Sequence, residues 1–156
     1  MRVLMIDDIR DLSKGTIARD YFTGIWLLEN LPPFDVLELD HDLDSFDEAG
    51  KEWTGYHVMC WLEEHPWKLP GRIVCISSNP AGRKNIQQVI DKLYNIENHI
   101  IEAVKNETDT PDMLVGHFGC VFPKLISEKD LRNLIARMIE KGVFTVDDEC
   151  RMHVKE

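Results

Sequence analysis

Long apolar runs, signal-peptide features and paired cysteines are all missing from this 156-residue sequence. No apolar stretch approaches the roughly 18 residues that would span a bilayer. The opening residues, MRVLMIDD, lack the apolar region and cleavage site of a secretory signal. The four cysteines show no CxxC spacing, and Cys60 and Cys75 lie in apolar segments that favour buried thiols. We therefore expect a reduced, cytoplasmic protein that has no contact with membranes.

Basic residues are also scarce relative to acidic ones. The chain has 18 Lys and Arg against 28 Asp and Glu, a formal net charge of −10. This balance argues against a general affinity for nucleic acid, although it leaves room for a local basic patch. The hydrophobic fraction of 44% is that of a globular protein, with one domain or one small domain and an appendage.

Short apolar runs alternate with amphipathic segments in the first part of the chain. The pattern predicts strands over 2–6, 16–19, 36–39 and 72–76, and helices over 21–30, 54–64 and 81–94. In the first helix Phe22, Ile25, Trp26 and Leu28 are expected on one side. The loop 45–53 is polar and contains Gly50, so we expect it to be exposed and mobile. Strands alternating with helices indicate an α/β fold with a parallel sheet and right-handed crossovers.

The sequence changes character after residue 96, which divides a domain over 1–96 from an extension over 97–156. In the extension the patterns predict a helix over 97–104, a strand over 113–122, a helix that begins at Ser127, and a hairpin over 143–154. A helix followed by a hairpin is the outline of a winged-helix module. Residues 97–156 nevertheless carry 12 acids against 8 bases, a net of −4. This charge argues against sequence-specific DNA binding and favours a helical cap, while the oligomeric state stays open.

Acidic side chains follow two of the predicted strands, at the point where each strand ends. Asp7 and Asp8 come after the first strand, and Asp40 comes after the third. The carboxyl ends of parallel strands meet at one edge of a sheet, where ligands bind. Desolvated carboxylates need a cation or a shared proton, and Mg²⁺ prefers oxygen ligands. We therefore expect Asp7, Asp8 and Asp40 to hold Mg²⁺ or another divalent cation; the alternative is that they cap helices or form turns.

His41 and Asp42 directly follow the acid of the third strand. Either side chain could act as a general acid or base, and neighbouring carboxylates would raise the pKa of the histidine. The alternative is a histidine that only packs or forms a hydrogen bond at the strand end. The spacing of Asp40, Asp42 and Asp44 is also that of a calcium loop, but Ser45 replaces the required glycine and Lys51 the final glutamate.

Hydroxyl, amide and basic side chains follow the fourth predicted strand. Ser77 and Asn79 precede a helix start, and Arg83 lies within its first turn. Such donors, together with the backbone N–H groups of a helix start, suit a phosphate group. The alternative is an ordinary capped helix with solvated bases.

These motifs resemble the receiver, or response-regulator, fold. The resemblance rests on Asp7 and Asp8, on Asp40 at the phosphoacceptor position, and on Ser77 where receivers keep Ser or Thr. It implies a flavodoxin-like, doubly wound parallel sheet. The sequence departs from receivers because no fifth strand with a lysine follows the helix that ends near Tyr94.

A closer resemblance is to the cyclic-phosphate processing receiver-like family. Its LDD-x-R, D-H-D-L, TGY and S-x-N-P-x-G motifs read here as MIDDIR from Met5, LDHDL from Leu39, TGY from Thr54 and SSNPAG from Ser77. Ile76 replaces the histidine that often precedes that serine. The resemblance covers residues 1–96 and implies processing of cyclic phosphates on nucleotides or RNA ends.

Three functions therefore remain open from the sequence, and the charge of the extension argues against the third, a winged-helix DNA binder. The first is a metal-dependent phosphoesterase that acts on a cyclic or terminal phosphate of a nucleotide or RNA end. Asp40, His41 and Asp42 would be its catalytic residues, with Asp40 a metal ligand, a nucleophile or both. The second is a receiver-like signalling or partner-binding module that does not turn over a substrate.

Overall fold

The computed structural model describes residues 1–11 and 14–155, which form two compact units, Met1–Tyr94 and Asn95–Glu156. In the first unit the elements are, in chain order, β1 (Val3–Ile6), β2 (Thr16–Ala18), α1 (Tyr21–Asn30), β3 (Val36–Leu39), β4 (Ser45–Phe46), β5 (Glu52–Trp53), α2 (Gly55–Glu64), a 3₁₀ turn (Pro66–Lys68), β6 (Arg72–Cys75) and α3 (Pro80–Leu93). No helix among the described residues is both long enough and apolar enough to cross a membrane.

The first unit is built on a four-stranded parallel sheet in the order β2-β1-β3-β6. Its central strands are apolar and buried, as expected of strands covered on both faces by crossover helices. Ile6 pairs with Leu39, and Leu39 pairs with Cys75. The residues that follow these three strands therefore emerge side by side at the carboxyl edge. The predicted receiver-like α/β fold is confirmed.

The apolar residues expected on one side of α1 are not buried together. The Phe22 and Trp26 residues are 46% and 59% exposed, whereas Gly24 and Leu28 are buried. A Cβ atom added at Gly24 would lie 2.7 Å from the Cδ1 atom of Ile6. The missing side chain of Gly24 thus leaves room for the Ile6 side chain of β1 against this helix. Hydrophobic periodicity favours large apolar side chains and cannot detect a buried face that is organised around a glycine.

The loop expected to be exposed and mobile is a short antiparallel hairpin, formed by β4 and β5. Ser45 is buried, and its Oγ accepts a hydrogen bond from the Tyr21 N–H at 3.2 Å. The ring of Trp53 stacks on that of Tyr21 with centroids 4.8 Å apart. These contacts attach the hairpin to the start of α1.

The second unit contains three helices and a hairpin: α4 (Ile96–Lys105), α5 (Pro111–Val121), α6 (Glu128–Glu140), β7 (Phe144–Val146) and β8 (Met152–Val154). Ser127 caps α6 as predicted, and β7 pairs with β8 as the predicted hairpin. The strand expected over 113–122 is wrong, because α5 covers this segment. Thr110 caps α5 by accepting the Met113 N–H at 3.3 Å, and Leu114 and Phe118 are buried four positions apart. A Cβ atom added at Gly116 or Gly119 would meet no atom within 4 Å, so neither glycine is required by a close contact.

The two hairpins share one turn design, although they belong to different units. The Oδ1 atom of Asp47 accepts hydrogen bonds from the backbone N–H groups of Ala49 and Lys51. The Oδ1 atom of Asp147 accepts hydrogen bonds from the N–H groups of Glu149 and Arg151, which stand at the same two spacings. The residue three positions after each aspartate has a positive φ, +77° at Gly50 and +62° at Cys150. Only the first hairpin therefore has the residue type that this backbone conformation favours.

Cys150→Gly is expected to raise the free energy of unfolding by about 1 kcal/mol, because glycine adopts the left-handed conformation without the steric cost of a side chain. Gly50→Ala is the matched control in the other hairpin and should lower the free energy of unfolding by a similar amount. Urea unfolding under reducing conditions measures both values. A loss of stability in Cys150→Gly would contradict the argument.

Candidate active site

Three carboxylates meet at the carboxyl edge of the sheet. One oxygen from each of Asp7, Asp8 and Asp40 lies within 4.8 Å of the others. Asp7 is fully buried, and Asp40 is 8% exposed. They line a pocket of about 280 Å³ whose other residues are Ile9, Arg10, Asp42 and Ser78. The structure thus brings together the residues that the strand-end pattern singled out.

Asp7 is the most enclosed member of this group. Its Oδ1 accepts the N–H groups of Ile9 at 2.8 Å and of Arg10 at 2.5 Å, so it also forms the turn proposed as the alternative. Its Oδ2 accepts from Nη1 of Arg10 at 2.8 Å. Burial raises the pKa of Asp7, but these hydrogen bonds together outweigh it and hold the pKa below its ordinary value. Asp7 is therefore ionised at neutral pH.

Arg10 is a site residue that the sequence reasoning did not single out. Its Nη1 donates to Oδ2 of Asp7 and, at 3.1 Å, to Oδ2 of Asp40, so one nitrogen bridges two carboxylates. The hydrogen bond to Asp7 is the main reason that the pKa of Arg10 is raised. Three carboxylates and one guanidinium carry −3 and +1, a formal charge of −2. The signal that could have identified Arg10 was its place in the motif over 5–10.

Arg19 holds the loop that carries these groups. From the end of β2, its guanidinium donates to the carbonyl oxygens of Asp7, at 3.3 Å, and of Arg10, and it pairs with Asp11. These bonds fix the backbone between β1 and the end of the loop. Nothing in the local sequence pattern indicated this role.

His41 and Asp42 form a hydrogen-bonded pair beside the acidic group. The Nδ1 atom of His41 lies 2.8 Å from Oδ1 of Asp42. The side-chain amide of Asn79 donates to both oxygens of Asp42, at 3.2 and 3.3 Å. The hydrogen bond with His41 is the main reason that the pKa of Asp42 lies below its ordinary value. Asp42 thus orients the imidazole ring, and Asn79 holds Asp42.

The three residues predicted to bind phosphate, Ser77, Asn79 and Arg83, make hydrogen bonds of different kinds. Ser77 is buried, and its Oγ accepts the Asn79 N–H at 3.1 Å. Asn79 also caps α3 by accepting the Gly82 N–H at 3.0 Å. Arg83 donates to the carbonyl oxygen of Cys75 at 3.0 Å and lines a separate groove along α3. Ser78, which the sequence reasoning passed over, lines the acidic pocket instead.

Gly82 is required by the position of the His41 ring. A Cβ atom added at Gly82 would lie 2.2 Å from Cγ and 2.5 Å from Cδ2 of that ring. The histidine therefore packs against the backbone of α3 at a point where only glycine fits. This contact explains why a glycine follows the S-x-N-P segment in physical terms.

Gly82→Ala is expected to displace the His41 ring and break its bond with Asp42, lowering the free energy of unfolding by about 1–3 kcal/mol. NMR signals of the His41 ring and urea unfolding measure the two effects. Gly116→Ala is the control, because Gly116 is a helical glycine with no atom within 4 Å of an added Cβ. The free energy of unfolding of Gly116→Ala should be higher than that of wild type by about 0.5–1 kcal/mol. An unmoved His41 signal in Gly82→Ala would contradict the prediction.

A parallel sheet in this order, with acidic residues after β1 and β3, defines the first unit as a receiver-like α/β domain. Residues 2–92 match the family model described as Cyclic-phosphate processing Receiver domain, and the chain belongs to this family. No curated protein and no solved structure matches the chain.

Proposed function

We propose that this protein is a metal-dependent phosphoesterase that hydrolyses a cyclic or terminal phosphate on a nucleotide or RNA end. The observation that carries the proposal is the convergence of Asp7, Asp8 and Asp40 within 4.8 Å, beside the bonded pair of His41 and Asp42. The family description, which names the processing of cyclic phosphates, supports the substrate class.

The donor set suits a hard divalent cation such as Mg²⁺. All three side chains offer carboxylate oxygens, and two of them, Asp7 and Asp40, are buried. Asp7, Asp8 and Asp40 would hold the ion. When bound, the ion stabilises the negative charge that builds up on the phosphate oxygens during ester cleavage.

His41 is the proposed general acid and base. Its Nδ1 is engaged by Asp42, which lines the pocket, and Nε2 would exchange a proton with the reacting groups. In hydrolysis of a cyclic phosphate, water attacks phosphorus and one ring P–O bond breaks. The attacking water loses a proton, the departing alkoxide gains one, and the product is a phosphomonoester. In this proposal Asp42 orients the imidazole ring, and His41 rather than Asp42 transfers the proton.

Ser78 is the proposed contact for a phosphate oxygen, because it lines the pocket and carries a hydroxyl group. Ser77 and Asn79 would act indirectly, since their polar atoms hold the start of α3 and Asp42. Arg83 remains a prediction that its contacts do not support, because its guanidinium donates to the Cys75 carbonyl oxygen.

The test is hydrolysis of 2′,3′-cyclic nucleotides and of RNA with a terminal cyclic phosphate, in the presence of Mg²⁺ or Mn²⁺. His41→Gln should lower kcat about 100-fold or more, as expected when a general acid or base is lost. Asp148→Asn, a change of an exposed acid in the second unit, is the control and should leave turnover unchanged.

Incubation with acetyl phosphate, followed by intact-mass measurement, examines the alternative. A stable adduct on Asp40 without hydrolysis of any cyclic phosphate would favour the receiver-like signalling module. That alternative is favoured by the place of Asp40 at the end of the central strand β3.

A further inference from the structure

Arg10 lies where a cation would bind. In Asp7, Oδ1 is already committed to two backbone N–H groups, and in Asp40, Oδ1 accepts the His41 N–H at 2.7 Å. The Oδ2 atoms are therefore the oxygens best placed to bind a cation. Nη1 of Arg10 contacts both of them, at 2.8 and 3.1 Å.

A guanidinium and a divalent cation cannot share these two oxygens. Mg²⁺ binds carboxylate oxygens at about 2.0–2.1 Å and prefers near-ideal octahedral geometry. A positively charged nitrogen in hydrogen-bond contact with the same two atoms would occupy that space and repel the ion. One of the two partners has to leave.

The Arg10 side chain can leave without a change in the loop. Its backbone N–H is held by Asp7, and its carbonyl oxygen is held by Arg19. The side chain itself is 43% exposed and lines the pocket of about 280 Å³. Both hydrogen bonds from Arg10 to the carboxylates use Nη1 alone. A planar guanidinium released into this pocket could donate two parallel hydrogen bonds to two oxygens of a phosphate group.

We propose that Arg10 and a divalent cation are alternative partners of the Oδ2 atoms of Asp7 and Asp40, and that cation binding releases Arg10 to bind the phosphate group of the substrate. This inference rests on the proposed function and adds an order of binding. Without the cation, Arg10 compensates the charge of the buried carboxylates. With it, the same side chain becomes a phosphate-binding residue, so phosphate affinity depends on the metal.

The first experiment is calorimetric titration of wild type and Arg10→Met with Mg²⁺ and with Mn²⁺. Removal of the competing guanidinium is expected to tighten cation binding about tenfold, the scale of a lost charged hydrogen bond. The control is Arg132→Met, which removes an exposed arginine that pairs with Asp112 and Glu128 in the second unit. It should leave cation affinity unchanged.

The second experiment follows the Nε–H signal of Arg10 by ¹⁵N NMR in the wild-type protein, with the signal assigned by its loss in Arg10→Lys. We expect the signal to shift when Mg²⁺ is added. A cyclic nucleotide added next should shift it again, but only in the presence of Mg²⁺. This measurement distinguishes release of the side chain from simple charge repulsion, and it decides the question even where Arg10→Met does not fold.

The outcomes separate this inference from the proposed function. Equal or weaker cation binding by Arg10→Met, or an Arg10 signal that Mg²⁺ leaves unmoved, overturns the exchange while metal binding to the acids stands. Absence of cation binding in wild type and variant alike overturns both. Tighter binding by Arg10→Met, with a metal-dependent response of the Arg10 signal to the nucleotide, supports the exchange.

Discussion

Asp40→Asn is expected to reduce divalent-cation affinity by at least about 100-fold and to abolish phosphoesterase turnover. Asp40 supplies one of three clustered carboxylates and lies at the end of the central strand, 8% exposed. Asparagine keeps the shape of the side chain but replaces a charged oxygen ligand with a neutral amide. Even changes to residues that only support metal ligands cost 10- to 100-fold in affinity, so loss of a ligand should cost at least as much.

The fold should tolerate this substitution. The backbone N–H of Asp40 is held by the carbonyl oxygen of Ile6 at 3.0 Å, and an asparagine oxygen can still accept the His41 N–H. Calorimetry with Mg²⁺, accompanied by a thermal unfolding curve, measures affinity and folding together. Asp148→Asn is again the control. Unchanged cation affinity in a folded Asp40→Asn protein would contradict the metal assignment.

Gly55→Ala is expected to lower the free energy of unfolding by about 3 kcal/mol, the upper part of the range for overpacked sites. A Cβ atom at this position would lie 1.9 Å from the carbonyl oxygen of Asp40 and 3.2 Å from Cα of His41. These neighbours are backbone atoms, so they cannot move aside as a flexible side chain can. The Gly55 N–H also donates to the His41 carbonyl oxygen at 2.8 Å, and separation of the two segments would break that bond.

This prediction links stability to the site, because the segment that would have to move carries Asp40 and His41. Urea unfolding measures the loss, and Mg²⁺ calorimetry on whatever fraction folds should show weakened binding. Gly116→Ala, in which the added methyl group meets open space, is the matched control. An unfolding midpoint in Gly55→Ala equal to that of wild type would contradict the prediction. It would mean that the start of α2 can move away from Asp40 with little loss of stability.

Much of the candidate site was predictable because it depends on the direction of strands. Asp7 and Asp40 follow buried apolar runs, and the pairing of Ile6 with Leu39 places both acids at one edge. That inference needs only parallel neighbours, which alternating strands and helices already indicate. The apolar faces of α2 and α3 were predictable for a similar reason, since Met59 and Ile86 belong to clear helical repeats and are fully buried.

Other features depend on the paths of side chains through space. Arg83 lies near the start of α3, after β6, where a basic residue could bind phosphate. Its guanidinium instead donates to the Cys75 carbonyl oxygen. Arg10 stands in a motif that the sequence showed, but only the structure shows that its Nη1 bridges two carboxylates. The direction of a long flexible side chain depends on which acceptors the fold places within its reach, and periodicity does not specify them.

Helix α5 is an element whose secondary structure was set by tertiary packing rather than by its local sequence pattern. Its apolar run with Gly116 and Gly119 was interpreted as a strand, although glycine is unfavourable in the interior of a helix and of a strand alike. The cap at Thr110, with burial of Leu114 and Phe118, outweighed that preference. Tertiary packing decides such cases, since its contribution exceeds the difference in propensity between two glycines and two better helix formers.

The sequence by itself determined the alternation of the four sheet strands with α1, α2 and α3 and the acids at the ends of β1 and β3, because these follow from periodicity and chain direction; its motifs indicated the receiver-like class by resemblance. Only the tertiary structure decided which groups contact those acids. The bond from Arg10 to Asp40, the hold of Asn79 on Asp42, and the glycines at 55 and 82 all depend on close approach between segments separated in the chain. Such distances arise from packing, which no local stretch of sequence specifies.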